Sequence, residues 1–148
     1  MLTSVPRWQS HVDLPEIEHN VLPLPPHLEG LHGTRIVQVS DLHVGRYLRG
    51  ETWAEHIRRV NALHPDLVVI TGDAMDWARR YEEDFFDPLE ALGPRVAALA
   101  ILGNHDFYFG ARRIEAGYAR SRTVRLLRGE RWESDALCGL SIWGIDDP

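Results

Sequence analysis

Three apolar runs in this chain stop abruptly, and each gives way to residues of one chemical kind. Val37-Gln38-Val39-Ser40 runs into Asp41-Leu42-His43, Val68-Val69-Ile70-Thr71 into Gly72-Asp73, and Ala100-Ile101-Leu102 into Gly103-Asn104-His105-Asp106. The β-branched run at residues 35–40 and the apolar runs at 66–71 and 96–102 predict three strands, and the unbroken apolar character of the second suits a strand buried on both faces. Between the first two, Trp53, Ile57, Val60 and Leu63 fall on one helical face. Thr52 and Glu55 have capping-box spacing, so a helix is expected over 52–63, stopped by Pro65. Between the second and third, Phe85, Phe86, Leu89 and Leu92 predict a helix over 82–92, with Pro88 near its start and Gly93-Pro94 as its stop. Strand, helix, strand, helix, strand implies parallel pairing through right-handed crossovers. Parallel strands present their carboxyl ends at one edge, so the three polar signatures should meet there. Further on, residues 111–120 read as helix, 123–127 as extended and 137–145 as a strand leading to Asp146 and Asp147.

Ahead of this pattern, residues 1–33 hold five of the nine prolines and no helical period. They read as an extended arm, with residues 11–17 (Val12, Leu14) fit for an edge strand. Its histidines, His11, His19, His27 and His32, lack regular ligand spacing. Residues 34–148 then form the domain proper.

Composition narrows the classes without choosing one. A chain of 148 residues with 44% hydrophobic and 26% charged residues can bury a core, as one domain or a large part of one. A net charge of −6 argues against nucleic acid as a general partner. All 16 basic residues are arginine. The single Cys138 excludes an intrachain disulfide and an all-cysteine zinc site, fits a reducing compartment, and is expected to pack in its apolar run. No stretch reaches the ~20 apolar residues of a membrane span, and residues 1–11 lack a signal-peptide layout, so a cytoplasmic protein is expected.

The chemistry lies at the strand ends. Asp41 and His43 supply a carboxylate and an imidazole from one turn, Asp73 a carboxylate able to bridge two ions, and Asn104 a neutral amide oxygen. Two divalent ions about 4 Å apart can hold a bridging hydroxide and clamp both oxygens of an in-line phosphoryl displacement. His105 is left free to give a proton to the leaving oxygen or to contact the phosphate. Asp76, three residues after Asp73, is placed to orient that imidazole.

Asp41-x-His43, Gly72-Asp73-x-x-Asp76 and Gly103-Asn104-His105-Asp106, in this order, resemble the first three motifs of the calcineurin-like metallophosphoesterases. Residues 31–45, 61–73 and 101–108 look most like the bacterial branch holding membrane-associated phosphoesterases and lipid-precursor hydrolases, and Gly144-Ile145-Asp146-Asp147 is similar to a later segment of that branch. The resemblance implies an α/β fold, the βαβαβ portion of a four-layer α/β/β/α sandwich. It implies hydrolysis of a phosphomonoester or phosphodiester at two divalent ions (Mn, Fe, Zn, Ni or Co), with lipid-linked substrates and peripheral membrane association among the expectations. Asp41 and His43 would bind the first ion, Asp73 would bridge, Asn104 would bind the second, and His105 would be the acid or phosphate contact.

The family continues to a lone histidine and a Gly-His-x-His motif, whereas no histidine follows His105 here. The resemblance therefore implies the amino-terminal half of the domain, with weakened metal binding and turnover, and an uncovered sheet face prone to self-association. A non-catalytic scaffold or regulatory module of the same fold is the competing expectation. Asp106 is expected either to pair with His105 or to support its loop. Phe107, Tyr108 and Phe109 are expected in the core in preference to a substrate pocket, while Arg46, Arg49, Asp146 and Asp147 are secondary candidates for the cleft. Other chemistries fit worse: aspartyl-nucleophile phosphatases want a second Asp at position 43, and a phosphate-binding loop needs a lysine. Dinucleotide binding lacks its glycine fingerprint, and zinc deamination needs paired cysteines.

Overall fold

The computed structural model describes residues 15–146. Strand β1 (Ile36–Val39), helix α1 (Gly50–Ala62), β2 (Leu67–Thr71), α2 (Ala78–Leu89), β3 (Ala97–Ile101), α3 (Asn104–Arg120) and β4 (Val124–Leu126) follow in sequence. The four strands pair in the order β1-β2-β3-β4, all parallel. This is the expected α/β arrangement, extended by one strand. An antiparallel hairpin of β5 (Glu130–Ser134) and β6 (Leu140–Gly144) follows.

Right-handed crossovers between neighbouring parallel strands place successive helices over the same face. Alternation along the strands follows from this. Val37, Val39, Val68, Ile70, Ala98, Ala100, Val124 and Leu126 turn toward the helices and join Trp53, Ile57, Phe85, Leu89, Leu92, Ile114 and Tyr118 in one core. Trp53 anchors α1, with its ring stacked on Phe85 at 5.8 Å and its indole N–H donating to the Phe85 carbonyl at 3.0 Å. On the other face Val69, Ala97 and Ile101 are partly exposed and Ile36 is half exposed.

At the amino ends of the strands, buried Asp66 accepts the Arg35 N–H at 2.8 Å and Arg95 Nε at 2.6 Å. One carboxylate thus clamps the approaches to three strands. Its pKa is lowered: burial alone would raise it, and the hydrogen bonds from Arg35 and Arg95 outweigh burial.

Several local expectations change. Helix α1 starts two residues before Thr52, with Arg49 in extended conformation as N-cap and no side-chain cap, so the Thr52/Glu55 spacing does not mark its start. Helix α2 begins earlier than residue 82, so Pro88 lies next to its end and not near its start. Helix α3 opens at Asn104 itself, and Gly110 (φ 141°) breaks its regularity just before the predicted start at 111. Cys138 is exposed, not packed; its thiol donates to the Gly30 carbonyl at 3.3 Å. Tyr108 is 75% exposed, so of the three aromatics at 107–109 only Phe107 packs against the core. Most of the expected edge strand at 11–17, along with His11 and Asp147, lies outside the described residues, and Pro15–Ile17 carry no strand. A 3-10 helix (Pro26–Leu31) stands within the proline-rich arm.

Candidate metal centre

The turns after β1 and β2 are zipped together by the backbone. Asp41 N–H donates to the Gly72 carbonyl, His43 N–H to Asp73, Val44 N–H to Ala74, and Asp76 N–H back to Val44, at 3.2, 2.9, 3.0 and 3.0 Å. This ladder continues the parallel pairing past the strand ends. It requires unusual backbone: Asp41 (φ 53°), His43 (φ 44°) and Asp73 (φ 50°) all occupy the left-handed region. For non-glycine residues that conformation costs ~1–2 kcal/mol each, and such strain gathers where a site depends on it.

The third turn docks by glycine contact. A Cβ on Gly72 (φ +96°) would lie 2.6 Å from Gly103 N, and one on Gly103 would lie 2.3 Å from Asp73 Oδ1. With both side chains absent, the Asp73 carboxylate accepts the His105 N–H at 2.9 Å. Asp106 is fully buried and spans the two turns, accepting the N–H of Ala74 and of Gly103, each at 3.0 Å. Of the two roles expected for it, the structure therefore shows loop support. Burial pushes its pKa up, against the pull of N–H groups from Gly103, Met75 and Ala74. Asp146 Oδ1 accepts the Leu102 N–H at 3.1 Å and Oδ2 accepts Arg128 Nε at 2.7 Å, so this side chain braces the end of β3.

Two groups of potential ligands result. Asp41, His43 and Asp73 each bring a ligand atom within 4.8 Å of the others, and so do His43, Asp76 and His105. His43 belongs to both. Its Nδ1 lies 3.0 Å from Asp76 Oδ1, and its Nε2 is 3.9 Å from Asp73 Oδ2. His105 Nδ1 is 3.6 Å from the same Asp76 oxygen, beyond hydrogen-bond reach, and is buried without a partner. Asp76 is thus bonded to His43 and only neighbours His105, with the two imidazoles edge to face at 4.6 Å. Asn104 is the first residue of α3 and half-buried, one position before His105. Arg46 and Arg49 lie over the rings of Tyr47 and Tyr81, at 5.6 and 6.0 Å.

Carboxylates, imidazoles and an orphaned ring nitrogen converging at one sheet edge form a donor set that fits borderline divalent ions. The family model for the calcineurin-like phosphoesterase matches residues 34–144. The chain belongs to the calcineurin-like phosphoesterase family. The match runs from the approach to β1 through the end of β6 and takes in Asp41-x-His43, Gly72-Asp73-x-x-Asp76 and Gly103-Asn104-His105-Asp106. Within this family the chain is 34% identical over 114 residues to an uncharacterized metallophosphoesterase of Aquifex aeolicus, covering 76% of this chain and 42% of the relative. It is 33% identical over 129 residues to a zebrafish (Danio rerio) transmembrane protein with metallophosphoesterase domain, covering 80% and 28%. It is 33% identical over 103 residues to the UDP-2,3-diacylglucosamine pyrophosphatase LpxG of Chlamydia muridarum, covering 68% and 31%. The chain therefore spans less than half the length of each of these calcineurin-like relatives. No solved structure matches it at a significant level. Among the described residues, no helix is long and apolar enough to cross a membrane.

Two residues of structural weight carry no signal in the sequence, one at the far edge of the sheet and one beside the site. Asp66 stood at the start of a predicted strand, and Trp77 followed Asp76 without a motif of its own. Spacing signals neither, because the partners of each come from segments about 30 residues away in the chain.

Proposed function

We propose that this chain carries the first half of a metal-dependent phosphoesterase site, hydrolysing a phosphomonoester or phosphodiester. The observation that carries the reading is the convergence of Asp41, His43 and Asp73 around one point, with His105 beside them. Asp41, His43, Asp73 and Asn104 would hold two divalent ions (Mn, Fe, Zn, Ni or Co), with Asp73 between them. Bound there, divalent ions activate water at neutral pH and neutralise charge that develops on phosphoryl oxygens.

The chain's own residues do the rest. The hydrogen bond to Asp76 fixes the ring of His43 and its tautomer, leaving Nε2 toward Asp73. The bond from the His105 N–H fixes Asp73. The first turn of α3 presents its amino end to the same place, which favours an anionic substrate. His105 supplies the proton: as the P–O bond to the leaving group breaks and water oxygen bonds to phosphorus, the imidazolium proton passes to the leaving oxygen.

The similarity to a diacylglucosamine pyrophosphatase extends the proposal to lipid-linked phosphate esters, and the similarity to a transmembrane relative extends it to peripheral attachment at the cytoplasmic side of a membrane. The second reading is a metal-binding scaffold of this fold without turnover. Manganese content and bis-p-nitrophenyl phosphate turnover, compared between this chain and a version extended past Pro148, separate the two. Strong turnover gained on extension supports the half-site; equal, robust turnover in both removes the need for further ligands. No turnover in either, with metal bound, favours the scaffold.

A further inference from the structure

Trp77 directly follows Asp76 and occupies the N-cap position of α2 in left-handed conformation (φ 52°, ψ 57°), with no capping hydrogen bond to compensate. A bulky side chain pays strain there, and its indole remains 64% exposed. The ring rests on Phe109 at 5.0 Å, tilted by 32°. Phe109 directly precedes the break at Gly110, and its ring lies 5.6 Å from that of His105. Tyr108, also exposed, stands 6.3 Å from the same imidazole. The core takes in Phe107 but neither Trp77 nor Phe109. Exposed aromatics scattered singly need no explanation; here Tyr108 and Phe109 flank one imidazole, and Trp77, from the turn after β2, rests on Phe109.

We propose that Trp77 and Phe109 form a stacking rest for a flat aromatic group on the leaving side of the substrate, and so determine specificity. The inference rests on the phosphoesterase reading above. With His105 protonating the leaving oxygen, a leaving group that continues beyond the imidazole toward Phe109 would meet the ring of Trp77 as well. Two tilted rings with an open face match the offset geometry that aromatic groups prefer.

The test is calorimetric titration of the manganese-supplemented 148-residue chain with 1-naphthylphosphonate and with methylphosphonate, neither of which can be hydrolysed. The naphthyl compound is expected to bind about tenfold more tightly, consistent with one aromatic contact. That ratio should fall toward one in Trp77→Asn, a residue that tolerates the left-handed backbone, and in Phe109→Leu, which keeps the proposal testable if the first variant fails to fold. A ratio near one in the unaltered chain, or one unchanged in the variants, overturns the rest while leaving the phosphate site standing. Failure of both phosphonates to bind also overturns the rest, and the half-site reading is then decided by turnover of the version extended past Pro148.

Discussion

The Asp106 carboxylate accepts the backbone N–H of Ala74 at 3.0 Å, fastening the turn after β3 to the turn after β2. Its second oxygen takes the N–H of Gly103. Asp106→Ala would leave two buried donors unpaired and should cost about 2–4 kcal/mol, measured by urea unfolding against the unaltered chain. Asp106→Asn, which keeps one acceptor oxygen, should fall between. A loss under about 1 kcal/mol for the alanine variant would mean that water replaces the carboxylate at no great cost.

The contact of Gly103 with Asp73 makes a sharper prediction about the site. An added methyl at position 103 would overlap Asp73 Oδ1 and its backbone N–H, at 2.3 and 2.6 Å. Gly103→Ala should therefore lower thermal stability by about 1–3 kcal/mol and also displace the Asp73 carboxylate. Manganese affinity should fall with it. A variant that loses stability but binds manganese as before would show that Asp73 is not needed for the ion.

Much of this arrangement was legible in the residues, for reasons that differ between elements. Val68, Ile70, Ala98 and Ala100 are buried under the helices and Leu67 and Leu99 on the opposite face, which gives β2 and β3 their continuous apolar runs, and Asp41, His43 and Asp73 stand where β1 and β2 run out. The opening of α3 was not legible: Phe107-Tyr108-Phe109-Gly110 has no amphipathic period, and Gly110 leaves the helical conformation. Nor was β5, because Glu130, Arg131 and Glu133 are exposed and the strand is held by pairing with β6, not by the core. The buried carboxylates of Asp66 and Asp106 bond to backbone N–H groups, which carry no side-chain signal. Cys138 misled because its flanking leucines imitate a strand interior, while the backbone turns there in left-handed conformation (φ 51°).

Two buried titrating groups should give acid unfolding two separate windows. His56 is buried on α1 with neither ring nitrogen bonded, and its pKa lies below the ordinary 6.5, first through burial and then through the charge of Arg59. The unfolded chain thus takes up this proton before the folded one. Stability is full above about pH 6.5 and falls as pH drops from there toward the lowered folded value. Asp66 has a pKa below 3.8 in the fold, so its contribution is present above that value and is lost only as pH falls through the lowered one. His56→Leu should flatten the first decline and leave the second, while Asp66→Asn should do the reverse. Urea midpoints across about pH 2 to 8 check both, and an unchanged slope near pH 6 in His56→Leu would remove His56 as the cause.

The division of labour at Asp76 can be read from metal affinity. Its carboxylate is bonded to His43 at 3.0 Å but stands 3.6 Å from His105. If Asp76 works through His43, Asp76→Ala loosens a metal-ligand ring and should weaken manganese binding by about 10–100-fold. His105→Ala, by contrast, should weaken it far less and act on turnover. If Asp76 works through His105, the two variants should share a turnover defect with manganese affinity nearly intact. The shorter distance favours the first outcome. Calorimetric titration of manganese into both variants, paired with bis-p-nitrophenyl phosphate turnover, decides between them.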